Sequence, residues 1–122
     1  MDRSKALAAL SALAHEARLD LIRLLVPVGP EGLPAGDIAR ELGHSASRLS
    51  FHLSALEQAG LITSRRVARN VFYAVDAAGL GGTIGWLLND CCMEHPEVLA
   101  CCSHARKPAD AADKVAIASP EW

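Results

Sequence analysis

Gly36-Asp37-Ile38-Ala39-Arg40-Glu41-Leu42, Gly43-His44, Ser45-Ala46-Ser47-Arg48-Leu49-Ser50-Phe51-His52-Leu53-Ser54-Ala55-Leu56 and Ala59-Gly60-Leu61-Ile62 form the stretch whose reading decides the fold. Ile38, Ala39 and Leu42 mark the inner side of a short helix over 34–42, with Pro34 suited to its first turn. Gly43 suits the position just past a helix end, where a left-handed backbone is needed. Ser45 suits the N-cap of a second helix that runs to Ala59 and stops at Gly60. Within it Leu49, Leu53 and Leu56 fall at i, i+4 and i+7, a single buried stripe. At ~100° per residue, Ser47, Phe51 and Ser54 lie opposite that stripe, with Arg48 and Ser50 on the flanks.

Working outward, the period changes to two after Gly60. Residues 61–66 and 70–75 read as strands, and the short connection Val67-Ala68-Arg69 makes them a hairpin. Upstream, Leu7, Leu10, Leu13 and Ala14 predict a first helix over 3–14 with those residues inward. Ala17, Leu21, Leu24 and Leu25 predict a second over 15–26, which Pro27, Gly29 and Pro30 stop. A loop is expected over 27–33. Downstream, Leu80, Ile84, Leu87 and Leu88 predict a fifth helix over 77–90. Its Gly79, Gly81, Gly82 and Gly85 are costly inside a helix and fit a place where two helix backbones come close. His95-Pro96-Glu97 starts a last short helix bearing Cys101 and Cys102. From about residue 105 no stripe is visible, and a loose tail is expected.

Helix, short helix, tight turn, helix and β-hairpin in this order give the fold class: mainly α with a β-hairpin wing, a winged helix–turn–helix. The expected organisation is a DNA-reading domain over 1–90, a cysteine-rich segment over 91–104 and a flexible tail over 105–122. A chain of 122 residues holds one core, and 51% hydrophobic residues exclude a disordered chain. Aromatics at 4% leave that core to Ala, Leu, Val and Ile. The net charge of −2 hides an asymmetry: residues 1–75 hold nine Lys/Arg against seven Asp/Glu, residues 76–122 three against seven. The basic charge therefore sits with the reading unit. No secretory signal and no apolar run of ~18–20 residues is visible, so the expected compartment is the cytoplasm, without a membrane partner. There the four cysteines are expected as free thiols.

In a helix–turn–helix the second helix enters the major groove and its outer face reads base edges. Here that face is small and polar with one arginine and one aromatic ring. Serine and arginine hydrogen-bond phosphates or base edges, and an apolar ring meets a thymine methyl. The wing carries Arg65, Arg66 and Arg69 within five residues, a compact cation patch for flanking phosphates or the minor groove. The candidate DNA contacts are therefore Ser45, Ser47, Arg48, Ser50, Phe51 and His52 on the helix, and Arg65, Arg66 and Arg69 on the wing. No Ser-His-Asp, Cys-His or paired-carboxylate arrangement supports catalysis, so no enzyme activity and no organic cofactor are expected.

These segments, together with Ala14-His15-Glu16-Ala17-Arg18-Leu19 and the wing through Tyr73, resemble the ArsR/SmtB family of metalloregulatory repressors over roughly residues 5–90. The resemblance implies a homodimer joined through the first and fifth helices, bound to an inverted-repeat operator in double-stranded DNA. It also implies repression relieved by an inducer. The cysteine pair that the best-known arsenic-sensing branch carries in its third helix is absent from residues 35–42. The carboxylates and histidines of the zinc-sensing branch are absent from the fifth helix up to Asp90.

All four cysteines, Cys91, Cys92, Cys101 and Cys102, fall within twelve residues as two vicinal pairs. Thiolates select soft ions, and trivalent arsenic or antimony takes three sulfurs. Some members of the family carry a C-terminal cysteine set for arsenite. The resemblance thus implies an As(III) or Sb(III) sensor, organoarsenicals included. Other readings stay open: zinc or cadmium, with His95 or His104 completing a tetrahedral set, a disulfide or persulfide switch responding to oxidant or sulfide, or packing. His15, His44 and His52 read as structural or capping residues rather than metal ligands.

Overall fold

Capping side chains start the first two helices, because the leading amides of a helix have no partner within it. The Asp2 carboxylate accepts from the Lys5 amide (2.8 Å) at the head of α1 (Arg3–Leu13). His15 Nδ1 accepts from the Ala17 amide (3.2 Å) at the head of α2 (Glu16–Leu25). In this computed structural model, which describes residues 1–104, the tail expected over 105–122 lies outside the described residues. After α2 comes a 3-10 turn (Val26–Val28), then β1 (Leu33–Pro34), α3 (Ala35–Leu42) and α4 (Ala46–Gln58). Gly43 adopts φ +71° between these two helices, and Ser45 Oγ accepts from the Arg48 amide (3.3 Å), as the spacing predicts.

β2 (Ile62–Val67) and β3 (Asn70–Val75) pair antiparallel, with Ile62 opposite Val75 and Val67 opposite Asn70. The loop is therefore the two residues Ala68-Arg69, one fewer than expected. Ala68 sits at φ +56°, a conformation that costs an L-residue with a Cβ ~1–2 kcal/mol. The last residue of the loop expected over 27–33 and Pro34, expected in the first turn of the next helix, form a third strand instead. β1 pairs with β3 on the side away from β2, giving the order β1-β3-β2, and α3 begins one residue later, at Ala35. Two residues are too short a run to show a period.

The chain divides into two compact units, Met1–Thr83 and a second that begins at Ile84. The core of the first is built by Leu21 and Leu25 of α2, Ile38 of α3, Leu53 and Leu56 of α4, and Leu61 and Ile62, all 1–2% exposed or less. Each fully buried side chain of this size contributes ~1.5–3 kcal/mol. α1 differs from expectation. Ala6, Ala9 and Ala12 are its buried residues, while Leu7 is 53% exposed. Small side chains let the α1 backbone approach α2 and α4 closely; Leu7 faces out, Leu10 is half-buried, and Leu13 is half-buried against the core as expected.

α5 (Ala77–Trp86) starts from Asp76, whose carboxylate accepts from the Gly79 amide (3.0 Å). A Cβ at Gly79 would overlap the carbonyl oxygen of Gly60, so here the close backbone approach expected of these glycines is real. Around Gly81 and Gly85 a Cβ would meet nothing among the described residues, so there that reason does not extend to them. The helix expected to run to residue 90 widens at Leu87–Cys91 into one π-helical turn, closed by the Cys92 amide on the Leu87 carbonyl (2.9 Å). α6 (Pro96–His104) follows. Among the described residues no helix is long and apolar enough to cross a membrane.

Two substitutions test this account by thermal unfolding of the full chain. Gly79→Ala forces a methyl group into a backbone carbonyl and lowers stability by about 1–3 kcal/mol; an unchanged Tm would contradict the close approach. Ala68→Gly relieves the left-handed residue of the wing and raises stability by up to about 1 kcal/mol; a fall in Tm would contradict it.

Candidate nucleic-acid interface

α4 buries one side and exposes the other. Leu49 and Leu53 are 2% exposed and Leu56 0%. Ser47, Arg48, Ser50 and Ser54 are exposed, and Phe51 is 65% exposed. Ser45, also exposed, divides its hydroxyl between capping α4 and any outside partner. The outer face is thus the hydroxyl-rich surface, with one arginine and one ring, that the helical period predicts.

His52 is a correction. It is 4% exposed and faces inward, so it is not a DNA-contacting residue. It lies three positions after Leu49, only ~60° from the stripe, which places it on the core side. Its ring packs against His15 (centroids 4.5 Å apart), and His44 stands edge-on at 6.1 Å. Its Nδ1 accepts from Arg18 Nε–H (3.1 Å), which requires an unprotonated Nδ1. Burial first, then the charges of His15, Arg18, Arg48 and His44, hold its pKa below the usual 6.5. His15 caps α2 through Nδ1, as expected of a structural histidine. His44 Nδ1 is buried without a hydrogen-bond partner among the described residues.

Arg18 is the side chain that joins this face to the core and that sequence reading does not single out. Besides His52, it donates to the Ala12 carbonyl (3.4 Å), and its guanidinium stands over the Phe51 ring at 5.5 Å. The available signal was a basic residue beside the buried positions Ala17, Leu21 and Ile22 of α2, where a solvated lysine or arginine has no need to be.

On the wing the three arginines differ. Arg65 donates to the Glu31 carbonyl (2.7 Å) and covers the Phe72 ring at 5.0 Å, so it braces the hairpin against the segment before β1. Arg66 and Arg69 are exposed at the tip. Ser64 donates to Glu57 (2.6 Å), tying the end of α4 to β2. Burial, and then Glu57, push the Tyr73 phenol up, so it stays protonated beside this tie.

The second unit carries the cysteines, all free thiols. Cys91 ends the π-helical turn and is exposed; Cys92 beside it is half-buried. Cys101 (exposed) and Cys102 (half-buried) are consecutive on α6. Desolvation first, then the charge and hydrogen bond of Cys91, push the Cys92 thiol up. Between the pairs Met93 and Glu94 adopt φ +51° and +53°, left-handed for two residues that carry a Cβ. Among the described residues no three His, Cys, Asp or Glu side chains are gathered as a metal site. His95, one alternative zinc ligand, has its Nδ1 occupied by the Glu97 amide (3.2 Å).

Comparison with known proteins agrees with the geometry. A helix-turn-helix domain family matches residues 13–65. The HTH-type transcriptional regulator YgaV of Escherichia coli is 35% identical over 88 residues, 72% of this chain and 87% of that protein. The structure of reduced HlyU from Vibrio cholerae is similar at 33% identity and a TM-score of 0.57, over 70% of this chain and 86% of that one. An ArsR-like transcriptional regulator from a Rhodococcus species is similar at 25% identity and a TM-score of 0.64, over 86% of this chain and 95% of that one. These relatives are transcriptional regulators, not enzymes. The chain belongs to the ArsR/SmtB-like winged helix–turn–helix family of DNA-binding transcriptional regulators.

Proposed function

We propose that the chain is a homodimeric repressor that releases an inverted-repeat operator when trivalent arsenic or antimony, inorganic or as an organoarsenical, binds the thiolates of Cys91, Cys92, Cys101 and Cys102. The observation that carries this reading is the pairing of the thiols outside the reading unit: two vicinal pairs, each with one exposed and one half-buried sulfur. Soft thiolates are the donors such ions select. Neither pair alone offers three sulfurs, so a three-sulfur site takes thiols from both. The exposed Leu7 of α1 supports the dimer, as a large apolar residue left at 53% exposure. Two copies related by a twofold axis set two α4 helices about one DNA turn apart. Loss of about 1–3 kcal/mol of coupling loosens such a complex about 5–150-fold.

A second reading, release by oxidation, is favoured by two observations: Cys91 and Cys92 are adjacent free thiols, and the relative HlyU has been solved in a reduced form. The upward shift of the Cys92 thiol weighs against it, because oxidation-sensitive cysteines have depressed values.

Fluorescence anisotropy on the chain's own upstream DNA under full reduction separates the two. Arsenite or antimonite releases the wild type, and replacing all four cysteines by serine abolishes release while DNA binding persists. Release only by oxidant establishes the redox reading; release that survives the fourfold replacement sinks both. Capture balances as one As(OH)3 and three thiols giving the tris-thiolate and three waters, with no net proton released. Apparent arsenite affinity therefore changes little between about pH 6 and 8, whereas capture of a bare cation such as cadmium displaces thiol protons and strengthens with pH; a steep rise for arsenite contradicts this stoichiometry. On the DNA side, Arg66→Ala and Arg69→Ala each reduce the slope of log affinity against log salt by about one. Arg65→Ala changes it less, because that guanidinium is committed to the Glu31 carbonyl; equal effects at all three would contradict the assignment.

A further inference from the structure

Arg18 leaves α2 half-buried and meets two other helices. Its Nε–H donates to His52 Nδ1 on α4 (3.1 Å), and its Nη1 donates to the Ala12 carbonyl near the end of α1 (3.4 Å). The same guanidinium covers the Phe51 ring at 5.5 Å. It therefore grips two consecutive residues of α4, one turned into the core and one turned out. A ring that is 65% exposed has several staggered conformations open to it, and a cation over its face favours one of them.

We infer that Arg18 is a positioning residue for DNA reading: held by His52 and Ala12, it fixes the Phe51 ring on the outer face of α4 and ties that face to the end of α1. The inference rests on the reading of α4 as the DNA-contacting helix and deepens it. Phe51 touches DNA; Arg18 acts through it.

The grip depends on the protonation of His52. Only an unprotonated Nδ1 accepts from Nε–H; a protonated ring presents a donor and a second positive charge to the guanidinium. The groups that face His52 are His15 and Arg18 from the α2 side, His44 from the turn before α4, and Arg48 from α4 itself. None of these four is a carboxylate, and with burial they hold His52 below its ordinary value, so the bond is intact at neutral pH. Acidification through that lowered value expels Arg18 and frees the ring. DNA affinity then falls. Simple electrostatics runs the other way, since protonating histidines near DNA adds positive charge and strengthens phosphate attraction. The sign of the pH dependence therefore separates a positioning role from a merely basic surface.

The test is anisotropy of the full chain on its own upstream DNA duplex between about pH 5 and 8. Ionic strength is held constant, the protein is reduced, and far-UV circular dichroism is read at each pH. Wild type is expected to weaken on acidification while its helix content holds. Arg18→Lys, which keeps the charge and loses the fork, and Arg18→Gln are expected to bind about tenfold weaker at neutral pH, without the acid loss. His52→Asn places an oxygen where Nδ1 accepts but does not titrate. It is expected to keep neutral-pH affinity and lose the acid weakening. Arg18→Lys with wild-type affinity and profile, or His52→Asn that still weakens in acid, overturns the inference. If the Arg18 variants lose helix content, His52→Asn decides alone. A wild type that binds no duplex at any pH overturns the reading of α4 itself, and this inference with it; wild-type binding with unchanged variant profiles overturns the inference only.

Discussion

Leu49, Leu53 and Leu56 sit on one stripe of α4, and their burial fixes which side of that helix faces outward. Everything proposed for DNA depends on this. The same rotation that sinks the three leucines into Leu21, Leu25, Ile38 and Leu61 turns Ser47, Phe51 and Ser54 out. The hydroxyl of Ser45 and the left-handed Gly43 fix where the helix begins, so the register of the outer face is set locally as well as by the core. Ser64 and Glu57 then fix the wing to the far end of the same helix, so α4 and hairpin present one continuous surface.

Much of this was legible in the sequence because it depends on period and punctuation. Gly43, Ser45 and Gly60 bound α4 in the chain as their backbone chemistry requires, and the hairpin follows from the change of period at Leu61. The misreadings have physical causes. The helical period marks the leucines of α1 as inward, yet Ala6, Ala9 and Ala12 are its buried residues and Leu7 faces out, since a closely approached helix buries its small side; Leu13 alone packs against the core as its position predicts. His52 was grouped with the DNA contacts because its neighbours point out; its angle from the leucine stripe places it inside. Arg18 was passed over because its partners, Ala12, Phe51 and His52, lie up to 34 residues away, and no local pattern announces them. The four cysteines were legible as a cluster in the chain, but spacing alone does not say whether sulfurs converge. They stand as two pairs, separated by two left-handed residues at Met93 and Glu94.

The two units carry different chemistry. The first, Met1–Thr83, holds the cationic wing and the serine face; the second carries the thiols. The boundary between the units falls within α5, which belongs partly to each. The tight contact of Gly79 with the Gly60 carbonyl places the start of α5 directly behind the end of α4. Arg18 makes a second such link, from the end of α1 to the reading face. Both links join the helices expected at the dimer interface to the helix proposed to read DNA.

The most direct test of the central claim is a map of the DNA contact itself. Backbone amide shifts of the isotope-labelled, reduced chain would be followed by NMR as its upstream duplex is added. The account predicts that the largest changes fall on Ser45, Ser47, Arg48, Ser50, Phe51 and Ser54 and on residues 66–70, with Leu49, Leu53, Leu56 and the cysteine pairs less affected. Changes concentrated elsewhere, with the outer face of α4 silent, would contradict it.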